Sequence, residues 1–327
     1  MIEKIKRSNI FLNILLSVLV IGLVMSGVNS YLKVKYMNAE DVRHWPEGAF
    51  KYGTTGYEMS PSFSSSMTDG SFFIHSHKLG YRIPRHADGS IIEEGGILSL
   101  GCSFVYGYEV EAEQTFTYLA ADSLHLPSYN YGVCASSYAN VILQLKELKR
   151  RGILDRLKPA IIVLGAENLL FERSLSPFLP TGHNGPPLAG PYITRKDDIM
   201  QIVDPPSMLR GKHLFFPRML YAEFIKKNYK GPDISPFELY DFVIGAINEI
   251  IAPYKMRFII LWMPLGPNDS LDEGFKKVIA RYDNITLVNG LDAIRRYKVA
   301  NEEYSGRHPG PEANMAYAQA IVSALRK

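Results

Sequence analysis

Cysteine and tryptophan are scarce, at two residues each in 327. Two thiols, Cys102 and Cys134, are too few for a disulfide scaffold and read as small buried residues; one bridge between them stays open. Charge of one sign is also lacking. The formal net charge is +3, and Lys4, Lys6 and Arg7 against Glu3 concentrate most of it in the first thirty residues. A nearly neutral body excludes the basic footprint of a nucleic-acid binder, so no nucleic-acid partner is expected. Metal-ligand spacing is missing as well. Histidines 75, 77, 86, 125, 183 and 213 form no such pattern, and the alternate pair His75 and His77 reads as part of a solvated segment. No metal and no other cofactor is expected. There is no internal repeat. A composition of 46% hydrophobic and 21% charged residues excludes a disordered or collagen-like chain.

One long hydrophobic run is present. Ile10 to Val28 carries no charge, and its 19 residues would reach about 28 Å as a helix, close to the hydrocarbon thickness of a bilayer. The basic tip at residues 1–9 places the N-terminus in the cytoplasm, so residues 10–30 are expected to anchor the chain in a membrane with the body outside, in a periplasm or at a cell surface. A cleaved signal peptide is the rival reading, since residues 26–30 are small. Residues 31–94 read as a linker and lead-in segment, and residues 95–327 as one α/β domain.

In that domain strand and helix signals alternate. Apolar runs at residues 96–100, 160–164, 257–263 and 285–288 read as buried strands, with a shorter candidate at 128–133. Helical signals cover 113–124, 138–151, 217–227, 237–252 and 312–325. In the second of these Val141, Leu145 and Leu148 form one stripe opposite Lys146 and Lys149. Residues 172–215 break the rhythm with many prolines and glycines, and so long an insertion is functional or mobile in character. The pattern predicts a three-layer α/β/α sandwich with a mostly parallel sheet.

Ligands of such sheets bind at the carboxyl ends of strands. The residues there are Gly101, Cys102 and Ser103 after the first strand, Gly132 to Ser137 after the second, and Glu167 and Asn168 after the third, with His308 before the last helix. A serine, a histidine, an amide and small residues with free N–H groups are the inventory for acyl transfer.

The same residues carry a family resemblance. Gly101-Cys-Ser-Phe-Val-Tyr-Gly107 with Val110 to Phe116 resembles the first block of SGNH (GDSL-type) esterases and acyltransferases. Asn130 to Ala135 is similar to the second block, Ile162 to Asn168 to the third, and His308-Pro309 to the fifth, in the family's order over residues 75–327. The upstream Leu79-Gly80-Tyr81-Arg82 resembles the lead-in of secreted or anchored members. The resemblance implies a flavodoxin-like SGNH fold, Ser103 as nucleophile and His308 as its base. It implies an oxyanion hole from the N–H groups of Ser103 and Ala135 with the Asn168 side chain, and Cys102, Gly132, Cys134 and Glu167 as neighbours of the pocket.

This chain departs from the family at four places. Cys102 stands where the family has Asp, and Ala135 where it has the oxyanion Gly. Glu167 stands at the strict position of the family Asn, with Asn168 one residue on. Ser305 stands three residues before the histidine, where the family has Asp, so Glu302 or Glu303 is left as the acid that would orient His308. Two functions follow as expectations. The first is an extracytoplasmic serine esterase or O-acyltransferase acting on acyl, above all acetyl, esters of a glycan or small molecule. The second is a catalytically degenerate domain of the same fold that binds glycan or partners with a membrane-bound acyltransferase.

Overall fold

The structure is a computed structural model that describes residues 16–28, 30, 49–53, 56–67, 70–179, 188–204, 228–304 and 308–326. The chain divides into two compact units. One comprises Met1–Arg43, Thr181–Leu188 and Pro206–Tyr229; the other comprises His44–Pro180, Ala189–Pro205 and Lys230–Lys327.

In the first unit residues 16–28 are helical. Leu16, Val18, Leu19, Val20, Ile21, Leu23 and Val24 are all exposed on it. Among the described residues no helix is long and apolar enough to cross a membrane. The expected anchor also takes in residues 10–15 and 29, which lie outside the described residues, as does the expected helix at 217–227.

The second unit is built on a five-stranded sheet: β1 (Gly96–Leu100), β2 (Ser128–Asn130), β3 (Pro159–Ala166), β4 (Arg257–Trp262) and β5 (Ile285–Asn289). Every pairing is parallel and the spatial order is β2-β1-β3-β4-β5. Residues 161–164 of β3 and 258–262 of β4 are buried throughout, which is why these strands read as unbroken apolar runs.

Helices cover the sheet in two contiguous groups. The first holds α2 (Phe116–Ser123), α8 (Gly290–Arg296) and α9 (Pro311–Leu325). The second holds α3 (Tyr138–Arg150), α5 (Asn168–Ser174), α6 (Pro236–Ile251) and α7 (Glu273–Ile279). Two more helices are short: α1 (Ser103–Tyr106), directly after β1, and α4 (Ile153–Leu157). Local chemistry sets the starts. Ser137 and Ser235 each cap their helix in a reciprocal box with the residue three on, and Pro236 occupies the first turn of α6. This arrangement is the expected α/β sandwich with a mostly parallel sheet. Its strand order reverses between β1 and β3, and a crevice opens at such a reversal.

The lead-in differs from its expected form. Phe50–Gly53 pairs antiparallel with Gly56–Met59, and Ser64–Ser66 with Phe73–His75. Ala49, Met59, Met67, Phe72 and Ile74 bury a small apolar cluster against Tyr106 of α1. Strands of three or four residues leave little hydrophobic period to read. The insertion likewise holds structure: residues 172–174 complete α5, and Tyr192–Lys196 pairs antiparallel with Ile199–Val203.

Arg82 is the centre of the lead-in. Its guanidinium is buried and donates to the carbonyls of Tyr106 (2.8 Å), Gly107 (2.7 Å), Val110 (2.7 Å) and Phe73 (3.2 Å). Its own N–H donates to the carbonyl of Asn130 at the end of β2 (2.9 Å). His77 is buried too, not solvated. Its Nδ1 accepts the Leu79 N–H (3.1 Å), which leaves Nε2 to donate to the Ile91 carbonyl (2.6 Å), and the ring stacks on Tyr81 at 4.4 Å.

Two outcomes follow from these contacts. Arg82→Leu removes a buried donor from four carbonyls and should lower unfolding free energy by about 3 kcal/mol in a denaturant titration; a loss below about 1 kcal/mol would contradict the pinning role. Burial pushes the His77 imidazole below its ordinary value. The unfolded chain therefore binds the proton more readily, so this contribution to stability is complete above about pH 6.5 and falls as pH drops. Unfolding midpoints measured across that window should show the fall in wild type and less of it in His77→Gln.

Candidate active site

The site is assembled at the reversal between β1 and β3. Ser103 is the first residue of α1, and the turn before it is tight. Gly101 has φ +151°, and a Cβ there would meet the Val105 side chain and the Gly165 carbonyl (3.2 Å). Gly132 leaves room for the backbone of Val105 and Tyr106. Glycine at these two places lets α1 fold back onto the strand ends. Cys102 caps α1, its sulfur accepting the Phe104 N–H at 3.4 Å. At the other end of α1, Asn130 Nδ2 donates to the Val105 carbonyl (2.8 Å), beside the Arg82 fork. Ser103 is thus held from both sides and is itself half-buried.

His308 meets it. Its Nε2 lies 2.9 Å from Ser103 Oγ. The ring packs against Phe104 (centroids 5.5 Å apart) and Tyr108 (4.6 Å). Asn314, fully buried in α9, fixes the next residues: Nδ2 donates to the carbonyls of Pro309 (2.8 Å) and Gly310 (3.0 Å), while Oδ1 accepts the Phe116 N–H of α2 (3.0 Å). One amide therefore ties the histidine loop to the helix that follows the nucleophile turn.

The turn after β2 is laced to the same place. The Gly101 carbonyl accepts from the Val133 N–H (3.0 Å) and from Ser136 Oγ (3.0 Å). This ties the segment that carries Ala135, on both sides of it, to the residue two before Ser103. Ala135 has φ +58°, the left-handed region where a Cβ is strained. Asn168 opens α5, and its Nδ2 donates to Asp269 Oδ1 (2.8 Å). Asp269 Oδ2 accepts the Leu265 N–H (2.9 Å), so the loop after β4 orients this amide.

Glu167 is not a solvated loop residue. It is 1% exposed, and burial raises its carboxyl above the ordinary range while Arg173 opposes the rise. Cys102 Sγ donates to its Oε1 at 2.8 Å. Both cysteines are free thiols, and burial pushes each of them up, with Glu167 adding to the rise at Cys102. A thiol so disfavoured as thiolate is a poor nucleophile. Of the acids expected to orient His308, Glu302 is exposed, and Glu303 accepts the Glu312 N–H at the start of α9 (3.2 Å). Ser305 lies outside the described residues. Among the described residues no cluster of three or more His, Cys, Asp or Glu could hold a metal ion.

Ser103, His308, Ala135 and Asn168 thus come from four separate segments held by one set of contacts. Sequence reasoning missed Arg82 as the pin of α1, and missed Asp269, Asn314 and Tyr108. Asn314, a polar residue within an apolar helical stripe, was the one readable signal.

No family model matches the chain, and no curated protein matches it. Solved structures do. A lipolytic protein of the G-D-S-L family from Desulfitobacterium hafniense is 12% identical, with 70% of this chain and 98% of that chain covered and a TM-score of 0.40. TesA is 12% identical, with 71% and 98% covered and a TM-score of 0.42. A carbohydrate esterase family 2 enzyme with a carbohydrate-binding domain, from Corynascus thermopiles (Myceliophthora fergusii), is 12% identical, with 76% and 70% covered and a TM-score of 0.40. At these values the likeness assigns no residue, and the site stands on its own geometry.

Ala135→Gly should relieve the left-handed strain. The gain, less the added freedom of the unfolded chain, is about 0.5 kcal/mol of stability by denaturant unfolding. A variant destabilised by about 1 kcal/mol would show that the alanine is not strained there.

Proposed function

We propose that this chain is an ester hydrolase or O-acyltransferase of the SGNH type that uses Ser103 and His308. The observation that carries the reading is the 2.9 Å approach of His308 Nε2 to Ser103 Oγ at the strand-order reversal. His308 takes the hydroxyl proton as Oγ attacks an ester carbonyl. The oxyanion is met by the N–H groups of Ser103 and Ala135 and by the second Nδ2 hydrogen of Asn168, the first being held by Asp269. His308 then returns its proton to the leaving alcohol. Water, or a sugar hydroxyl in the transferase form, attacks the acyl-serine. Acetyl esters of a glycan or a small molecule are the substrates we favour.

The body works outside the cytoplasm in this reading, on a chain anchored through residues 10–30. Support comes from the uncharged run behind a basic tip and from the exposed apolar side chains of residues 16–28.

The second reading is a degenerate domain that binds glycan or partners with a membrane-bound acyltransferase. The strained Ala135 in the oxyanion turn favours it. Hydrolysis of p-nitrophenyl acetate separates the two. Wild type should turn over, and Ser103→Ala and His308→Ala should each lower kcat/KM by about 1,000-fold or more, roughly 4 kcal/mol at 1.36 kcal/mol per decade. A folded wild type with no turnover above the two variants would favour the binding module.

A further inference from the structure

The substitution of cysteine and glutamate beside a serine nucleophile leaves a buried pair that the mechanism above does not use. Cys102 Sγ does two things at once. It accepts the Phe104 N–H at 3.4 Å and donates its own hydrogen to Glu167 Oε1 at 2.8 Å. Ser103 lies between the two residues of that cap. Glu167 therefore reaches the nucleophile turn through a single sulfur.

We infer that Glu167 is a positioning residue for Ser103, acting through the Cys102 thiol to fix the turn that carries the nucleophile. The inference rests on the reading of Ser103 as nucleophile.

Burial raises the Glu167 carboxyl above its ordinary range. An ionised carboxylate in the interior needs strong donors on both oxygens. Glu167 Oε1 has a thiol and, 3.9 Å away, the Arg173 guanidinium of α5; Oε2 is buried with no hydrogen-bond partner among the described residues. The other groups facing it are the Asp269 carboxylate from the loop after β4 and the Tyr138 hydroxyl of α3. Burial and Asp269 disfavour the charge, whereas Arg173 and the Cys102 hydrogen bond favour it. Oε1 stays an acceptor for Sγ–H in either protonation state.

The test compares kcat and KM for p-nitrophenyl acetate, from about pH 5.5 to 8, in the full-length chain and its variants. Glu167→Ala and Cys102→Ala should each lower kcat about tenfold with KM held, and the double variant should fall no further than the worse single one. Glu167→Gln and Cys102→Ser should recover most of that loss, because each keeps the shape and the hydrogen bond. The Glu167→Gln pH profile should overlay that of wild type.

Glu167→Ala with unchanged kcat would overturn the positioning role. Losses that multiply in the double variant would show that Glu167 does not act through Cys102. A Glu167→Gln variant as poor as Glu167→Ala, or with a displaced pH profile, would show that the charged carboxylate is what matters. Absence of turnover in wild type would overturn the functional reading and the inference with it, whereas normal wild-type turnover with insensitive variants would overturn the inference alone. If Glu167→Ala does not fold, Cys102→Ala, Cys102→Ser and Glu167→Gln carry the comparison.

Discussion

The Gly101 carbonyl and the short helix α1 form the joint on which the rest of the site depends. A parallel strand ends, the chain turns through two residues, and the helix must lie back across the strand ends for a serine hydroxyl to face the crevice. Nothing within a four-residue helix can hold that geometry. It is held from outside by the Arg82 fork and the Asn130 amide at its end, and by Cys102 and Glu167 at its start. The oxyanion turn is laced to the same carbonyl. This explains why so many buried polar groups gather in one region. Each costs free energy to bury, and each is offset by a bond that fixes one part of the site.

Much of the fold was legible in the sequence because the physics was simple there. β3 and β4 are buried on both faces, so they read as continuous apolar runs. In α3, Val141, Leu145 and Leu148 are buried and Lys146 and Lys149 exposed, as the stripe requires. Ser103 and His308 were legible because a parallel sheet brings its strand ends together. The lead-in was not, since its strands are only three or four residues long and are stabilised by partners far along the chain. Arg82 illustrates the reason. The sequence singled it out only as part of the Leu79 to Arg82 lead-in, and only the folded chain shows four carbonyls converging on it. Glu167 was placed beside the pocket, but its burial was not legible, because a carboxylate after a strand resembles a loop residue until the fold is known.

The departures at the site are physically connected. Asp at position 102 would set a second carboxylate against the buried Glu167, whereas a thiol supplies a cap and a donor without a charge. The histidine side is fixed by packing as well. Phe104 and Tyr108 pack the imidazole, and Asn314 anchors its loop, so much of its orientation is set by packing and by one amide.

The central claim is that Ser103 is an activated serine. The most direct measurement is intact mass of the full-length chain in detergent after exposure to a fluorophosphonate, with the modified peptide then sequenced. The account predicts one adduct, on Ser103, absent in Ser103→Ala and strongly slowed in His308→Ala. A folded chain that takes no adduct, or takes it equally well without His308, would contradict it.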